Sequence, residues 1–275
     1  MTPVESDEDL TRKQRREQAR SQRKALEDAE AANAMRRTRM TQLGIVVSVV
    51  VVAIVVIALA AGGKSSSSPP KQGSSAEATA IAAVNSTIGG VPQSGNVLGS
   101  PAAPVTFVYF GDLECPICKD FTLGALPQII QKWVRSGKVR IEYRALETAS
   151  REPEVFKAQQ IAALAAGKQG KMWYFVELFY HEQGEENSGY VTESYMQGLA
   201  RQIPGLDFAK WMSDRNNPEY SNQVAADGQA ANNQGFNGTP SFMIGTTGGA
   251  LKKFEYSSLT DPTGFNQAIE SLLKG

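Results

Sequence analysis

Val105-Thr106-Phe107-Val108-Tyr109-Phe110, then Gly111-Asp112-Leu113-Glu114, then Cys115-Pro116-Ile117-Cys118: the reading of this chain turns on these fourteen residues. The first six form an apolar run of strand length, rich in β-branched and aromatic side chains. Val105, Phe107 and Tyr109 alternate with Val108 and Phe110, so both faces of the strand carry apolar side chains, as expected of a central strand buried on both sides. The last four hold the only two cysteines among 275 residues. A buried strand that runs into C-x-x-C at the start of a helix is the setting in which the motif acts as a redox pair.

Working outward, the apolar positions Phe121, Leu123, Leu126, Ile129, Ile130, Trp133 and Val134 recur at three and four, which predicts a helix opening at the cysteines and kinked at Pro127. Ser136-Gly137 ends it, and residues 139–143 alternate as a second strand. Residues 152–234 carry helical periodicity without a strand signal. The turn-rich Gly235-Phe236-Asn237-Gly238-Thr239-Pro240 leads into a strand over 241–244, a hairpin turn at 246–249, a strand over 251–256 and an amphipathic helix over 261–273. The expected fold is α/β, thioredoxin-like, with a helical insertion at about 150–234.

Toward the N-terminus, residues 1–40 hold ten Lys and Arg against eight acids and few large apolar residues, the composition of a solvated polar tail. Residues 41–63 are free of charge, and 43–61 are apolar apart from Gly44 and Ser48. About 20 residues of helix cross a bilayer core, so this segment predicts a single transmembrane anchor. Ala58-Leu59-Ala60 leaves a cleaved signal peptide as the rival, against which stand the long polar leader and the length of the apolar run. Arg36, Arg37 and Arg39 on one flank place the N-terminus in the cytoplasm and the rest outside, where disulfides persist. A Ser/Gly/Pro linker is expected over 64–80 and the extracytoplasmic domain over 81–275. From residue 72 onward sixteen basic residues face twenty acidic ones, a balance that argues against nucleic acid as a partner.

At a helix N-terminus the unpaired N–H groups and the helix dipole favour a thiolate, so Cys115 is expected to be the exposed attacking sulfur and Cys118, one turn in, the shielded resolving one. Pro116 suits the first helical turn, where its missing N–H is not needed. A structural role for the pair is disfavoured because a bridge across two residues closes too short a loop to constrain the unfolded chain. Metal binding is disfavoured because zinc takes four ligands and the sole histidine, His181, lies far along the chain. No cofactor is expected beyond the redox-active disulfide Cys115–Cys118. Nothing in the chain matches a phosphate loop, a G-x-S-x-G elbow or H-E-x-x-H.

Taken together, Ala103-Pro104-Val105, the run Phe110–Cys118, Gly170-Lys171-Met172-Trp173 and Gly238-Thr239-Pro240-Ser241-Phe242 resemble the DsbA family of extracytoplasmic thiol-disulfide oxidoreductases, in particular its membrane-anchored Gram-positive and actinobacterial branch. The resemblance spans roughly residues 97–275. It implies that Pro240 is a cis-proline lying against the dithiol and that the backbone of Thr239 pairs with an extended substrate. It also implies reduced exported proteins as substrates and a quinone-linked membrane partner for reoxidation. Two positions depart from the pattern: Ile117 stands where the best-known members have histidine, and Tyr109 where thioredoxin-like proteins often hold a buried acid. Asp112 and Glu114 are then the nearer candidates for handling a proton. Without the histidine, Cys115 is expected to be less acidic than the ~3.5 of a strongly oxidising DsbA, yet below the ~8.5 of a free thiol. Two other functions use the same residues: a reductase or isomerase at the same site, and a chaperone or metallochaperone in which the dithiol is incidental.

Overall fold

A computed structural model describes residues 73–274. The tail predicted over 1–40 and the anchor predicted over 41–63 lie outside the described residues. Among the described residues no helix is long and apolar enough to cross a membrane.

The first helix, α1 (Ser75–Ile88), starts inside the stretch assigned to the linker, so residues 75–80 belong to the folded unit instead. The signal was present as Ser74-x-x-Glu77. The Ser74 hydroxyl accepts the Glu77 amide at 3.2 Å, an N-cap that the Ser-rich composition around it obscures. Ala80, Val84 and Ile88 are its buried face.

Next come β1 (Gln93–Ser94) and β2 (Val97–Leu98), a two-residue-per-strand hairpin too short to leave a periodicity. Strand β3 (Val105–Gly111) is buried at all seven positions. It is followed by α2 (Pro116–Leu123), α3 (Ala125–Ile129) with a π-helical turn at Ile130–Val134, and β4 (Val139–Ala145). The break in the predicted redox helix falls at Gly124, not at Pro127. A Cβ on Gly124 would stand 2.9 Å from Thr260 Cα and 3.0 Å from Leu259 O, so the C-terminal segment presses directly on backbone there. Pro127 lies in the first turn of α3, where no N–H partner is required.

Five helices follow: α4 (Pro153–Gly167), α5 (Met172–His181), α6 (Glu193–Gln202), α7 (Phe208–Asp214) and α8 (Pro218–Asn233). The chain then re-enters the sheet as β5 (Ser241–Thr246) and β6 (Lys252–Phe254) and closes with α9 (Thr263–Lys274). The sheet order is β1-β2-β4-β3-β5-β6. Central β3 runs parallel to β4, with Phe107 opposite Ile141, and antiparallel to β5, with Phe107 opposite Ile244.

The doubly apolar β3 is explained by what covers each face. Phe107 and Tyr109 join the main core with Phe121, Phe242 and Phe265, whereas Val108 and Phe110 pack with Leu146, Ala231 and Phe236. On the main face Phe121 and Phe242 lie 4.7 Å apart between ring centroids, fixing α2 against β5. The helical insertion is fastened to the far sheet edge through Trp173, whose Nε1 donates to Asn96 O at 3.0 Å. Asn96 in turn donates its side-chain amide to Tyr143 O of β4 at 2.8 Å.

Candidate active site

Strand β3 ends on Gly111 and delivers Asp112-Leu113-Glu114 as a tight turn, Cys115 N donating to Asp112 O at 3.0 Å. Cys115 is the N-cap of α2 in extended conformation, with Pro116 at the first helical position. The dithiol thus sits where the helix's unpaired N–H groups point. Both cysteines are free thiols. The exposed sulfur expected at position 115 is largely covered: Cys115 is 6% exposed and Cys118 is 0%. The rank order between the two is as expected, but the outward-facing members of the motif are Pro116 and Ile117, the latter at 45%.

Across the dithiol lies the loop before β5. The Thr239–Pro240 peptide bond is cis. The Cys115 thiol donates to Thr239 O at 3.4 Å, so residue 239 meets the nucleophile through its backbone.

Electrostatics separate the two sulfurs. The Cys115 thiol is held down at about 6, first by a hydrogen bond from Cys118; partial burial opposes this, and the Thr239 hydroxyl and the amides of Cys118 and Ile117 add to it. That value lies in the interval expected for a motif lacking histidine. Cys118 is pushed well up by complete burial and then by its neighbour Cys115. One sulfur is therefore thiolate at neutral pH while the other keeps its proton.

Around the pair the structure assigns different parts to the acids. Asp112 is fully buried. Its Oδ2 accepts the amides of Thr148, Ala149 and Ser150 at 2.9–3.0 Å, and its Oδ1 accepts the Ser150 hydroxyl at 2.8 Å and the Glu114 amide at 3.1 Å. A carboxylate so engaged is an anchor for the 148–150 loop. Glu114 keeps more freedom: it is 4% exposed, takes one amide from Asn187 at 3.3 Å, and burial raises its pKa.

Tyr109, at the position of the missing acid, donates its hydroxyl to Tyr180 Oη at 3.1 Å, and Tyr180 donates to Asp112 O at 3.0 Å. Both phenols are buried, close enough to Cys118 to feel its charge, and burial raises the pKa of both.

Three contributors escaped the sequence reading. Gln183, just past α5, donates its side-chain amide to Leu113 O at 2.7 Å and Cys115 O at 3.1 Å, tying the helical insertion to the turn that presents the nucleophile. Tyr180 looked like one more apolar residue of a helix. Thr148 lies in a polar loop without periodicity, and its hydroxyl is 2.6 Å from that of Thr239. Only the fold brings these residues to the dithiol.

Comparison with known proteins gives the family. A family profile described as Thioredoxin matches residues 93–258, more than half of the chain. The chain is 25% identical over 178 residues to a probable disulfide bond formation protein D of Bacillus anthracis, covering 64% of this chain and 77% of that protein. It is 25% identical over 198 residues to disulfide bond formation protein D of Bacillus subtilis, covering 70% and 83%. The crystal structure of oxidised BdbD from Bacillus subtilis superposes with a TM-score of 0.56 at 22% identity, covering 67% of this chain and 98% of that one, and so shares its fold. The chain belongs to the thioredoxin family, as a DsbA-like thiol-disulfide oxidoreductase.

Proposed function

We propose that this protein is a membrane-tethered oxidant that introduces disulfides into exported proteins through Cys115 and Cys118. The observation that carries the direction is the asymmetry of the pair: a Cys115 thiol at about 6 at the N-cap of α2, beside a buried Cys118. A thiolate stabilised in the reduced state makes the corresponding disulfide a stronger oxidant, by about 30 mV for each 1.4 kcal/mol.

In the proposed cycle a substrate thiolate attacks Cys115 Sγ of the disulfide, the Cys115–Cys118 bond breaks, and Cys118 leaves with the electron pair and takes up a proton. A second substrate thiolate then attacks the substrate sulfur of the mixed disulfide, and Cys115 leaves as a thiolate. Two electrons have moved from the substrate dithiol to the enzyme. Thr239 and Pro240 align the substrate strand by backbone pairing, and Glu114, buried in the turn that precedes Cys115, is the carboxyl assigned to the proton. The exposed Ile117 of α2 and the exposed Tyr256, whose ring stands edge-on to Phe242 at 5.5 Å, offer apolar contact suited to unfolded protein. The apolar run 43–61 supports an anchor with the catalytic domain outside, and a quinone-linked membrane partner would restore the disulfide.

Equilibrating the full chain against glutathione tests the direction. A potential toward the ~−120 mV of DsbA is expected, and one near the ~−270 mV of thioredoxin would support a reductase instead. Cys115→Ser must abolish turnover of reduced ribonuclease; client binding that persists with no exchange in the native protein would mark a chaperone module.

A further inference from the structure

We propose that Thr148 is a positioning residue for the dithiol, acting through Thr239 to orient a hydroxyl toward the Cys115 sulfur. The inference rests on the oxidoreductase reading of the site but concerns a residue outside the C-P-I-C motif and outside the proline loop.

Three contacts build it. The Thr148 and Thr239 hydroxyls are 2.6 Å apart, close for an O–H···O bond. Thr239 itself meets Cys115 at its carbonyl, 3.4 Å from the sulfur. The Thr148 backbone is fixed independently, its amide donating to Asp112 Oδ2 at 3.0 Å within the same set of bonds that pins Ala149 and Ser150. An exposed threonine is thus held in register by a buried carboxylate that belongs to the turn carrying the nucleophile.

Two hydroxyls this close share one proton between them, so only two arrangements exist. When Thr148 donates to Thr239 Oγ1, the Thr239 proton is free to turn toward the dithiol and favours a thiolate. When Thr239 donates to Thr148, the dithiol faces an oxygen lone pair and the thiolate gains nothing. A thiolate at Cys115 selects the first arrangement. Thr148 therefore supplies the acceptor-satisfying proton that lets Thr239 spend its own on sulfur. The Thr239 hydroxyl is among the groups that lower the Cys115 pKa, which is the effect this pairing would sustain.

The test uses the full chain with Thr148→Val, which keeps the shape and removes the hydroxyl, and Thr148→Ser, which keeps the hydroxyl. Thiolate absorbance against pH and the potential against glutathione are read for both. Expected is a rise of roughly half a unit to one unit in the Cys115 pKa for T148V, with a potential lower by roughly 15–30 mV, the same change converted; T148S should match the native protein. On a Thr239→Val background, T148V should move neither quantity, because its route to sulfur is gone. Unchanged values in T148V, an equal shift in T148S, or a persisting shift on the Thr239→Val background each overturns the proposal. A native protein inert in thiol exchange would instead overturn the oxidoreductase reading, and the titration would still report on Thr148.

Discussion

Asp112 grips Ser150 twice, its Oδ2 accepting the Ser150 amide at 3.0 Å and its Oδ1 the Ser150 hydroxyl at 2.8 Å. These two bonds join the turn after β3 to the loop after β4, whose Thr148 meets Thr239. Gln159 of α4 extends the link, donating to the Ser150 hydroxyl oxygen at 2.8 Å. The turn before the nucleophile, the loop after β4 and the helical insertion therefore share one buried carboxylate.

Replacing Asp112 with Asn sets an amide N–H₂ against donors that need an acceptor. Bonds to a charged group contribute about 1.5–3 kcal/mol each and are not additive. A loss near 3 kcal/mol is expected from the denaturant midpoint of Asp112→Asn. The pH profile of Cys115 alkylation should also move to higher pH as the 148–150 loop loosens. A midpoint within about 0.5 kcal/mol of the native protein, the range of ordinary surface changes, would remove the anchor.

A second carboxylate is buried with less support. Glu177 in α5 is 1% exposed, its Oε1 has no partner, and burial raises its pKa to about 8. The sign follows from linkage. A folded-state pKa above the unfolded value means the folded protein holds a proton the unfolded chain has released, so the contribution is fully favourable below the unfolded value near ~4.3 and is lost as pH rises through about 8. Native stability should accordingly fall between about pH 5 and 8, and Glu177→Gln, neutral and of the same shape, should flatten that fall by a few kcal/mol at most. Parallel curves of denaturant midpoint against pH for the two proteins would refute it.

Most of the sheet was legible because its strands are coded by strong local signals. The run 105–110 announces itself, and the alternation at 139–143 matches a β4 whose odd positions are buried. The redox helix was legible as a whole, but its break was not. Pro127 is the conspicuous residue, whereas Gly124 is forced by Leu259 and Thr260, distant in sequence. The hairpin at 93–98 escaped because two-residue strands have no period to detect. The site divides in the same way. Cys115, Cys118 and Thr239-Pro240 lie in short motifs, while Thr148 and Gln183 reach the dithiol only after β4 pairs beside β3 and α5 packs on α2. Burial of Cys115 was likewise beyond a local reading, since Thr239 covers it from more than a hundred residues away.

The departure at Ile117 gives the most direct probe of how acidic the nucleophile can be made. Its side chain is 45% exposed, so an imidazole there would extend into solvent without opening a cavity in the core. The amide of residue 117 is already among the groups that stabilise the Cys115 thiolate. A ring N–H or an imidazolium adds a second donor from the helix's first turn, favouring the charged sulfur. Ile117→His should lower the Cys115 pKa from about 6 by roughly one unit and raise the potential by roughly 30 mV. Alkylation rate against pH and equilibration with glutathione measure the two independently, and they must move together, because both report the free energy of one thiolate. A potential that rises while the titration stays put would show that the imidazole acts on the disulfide form instead of on Cys115 as its thiolate.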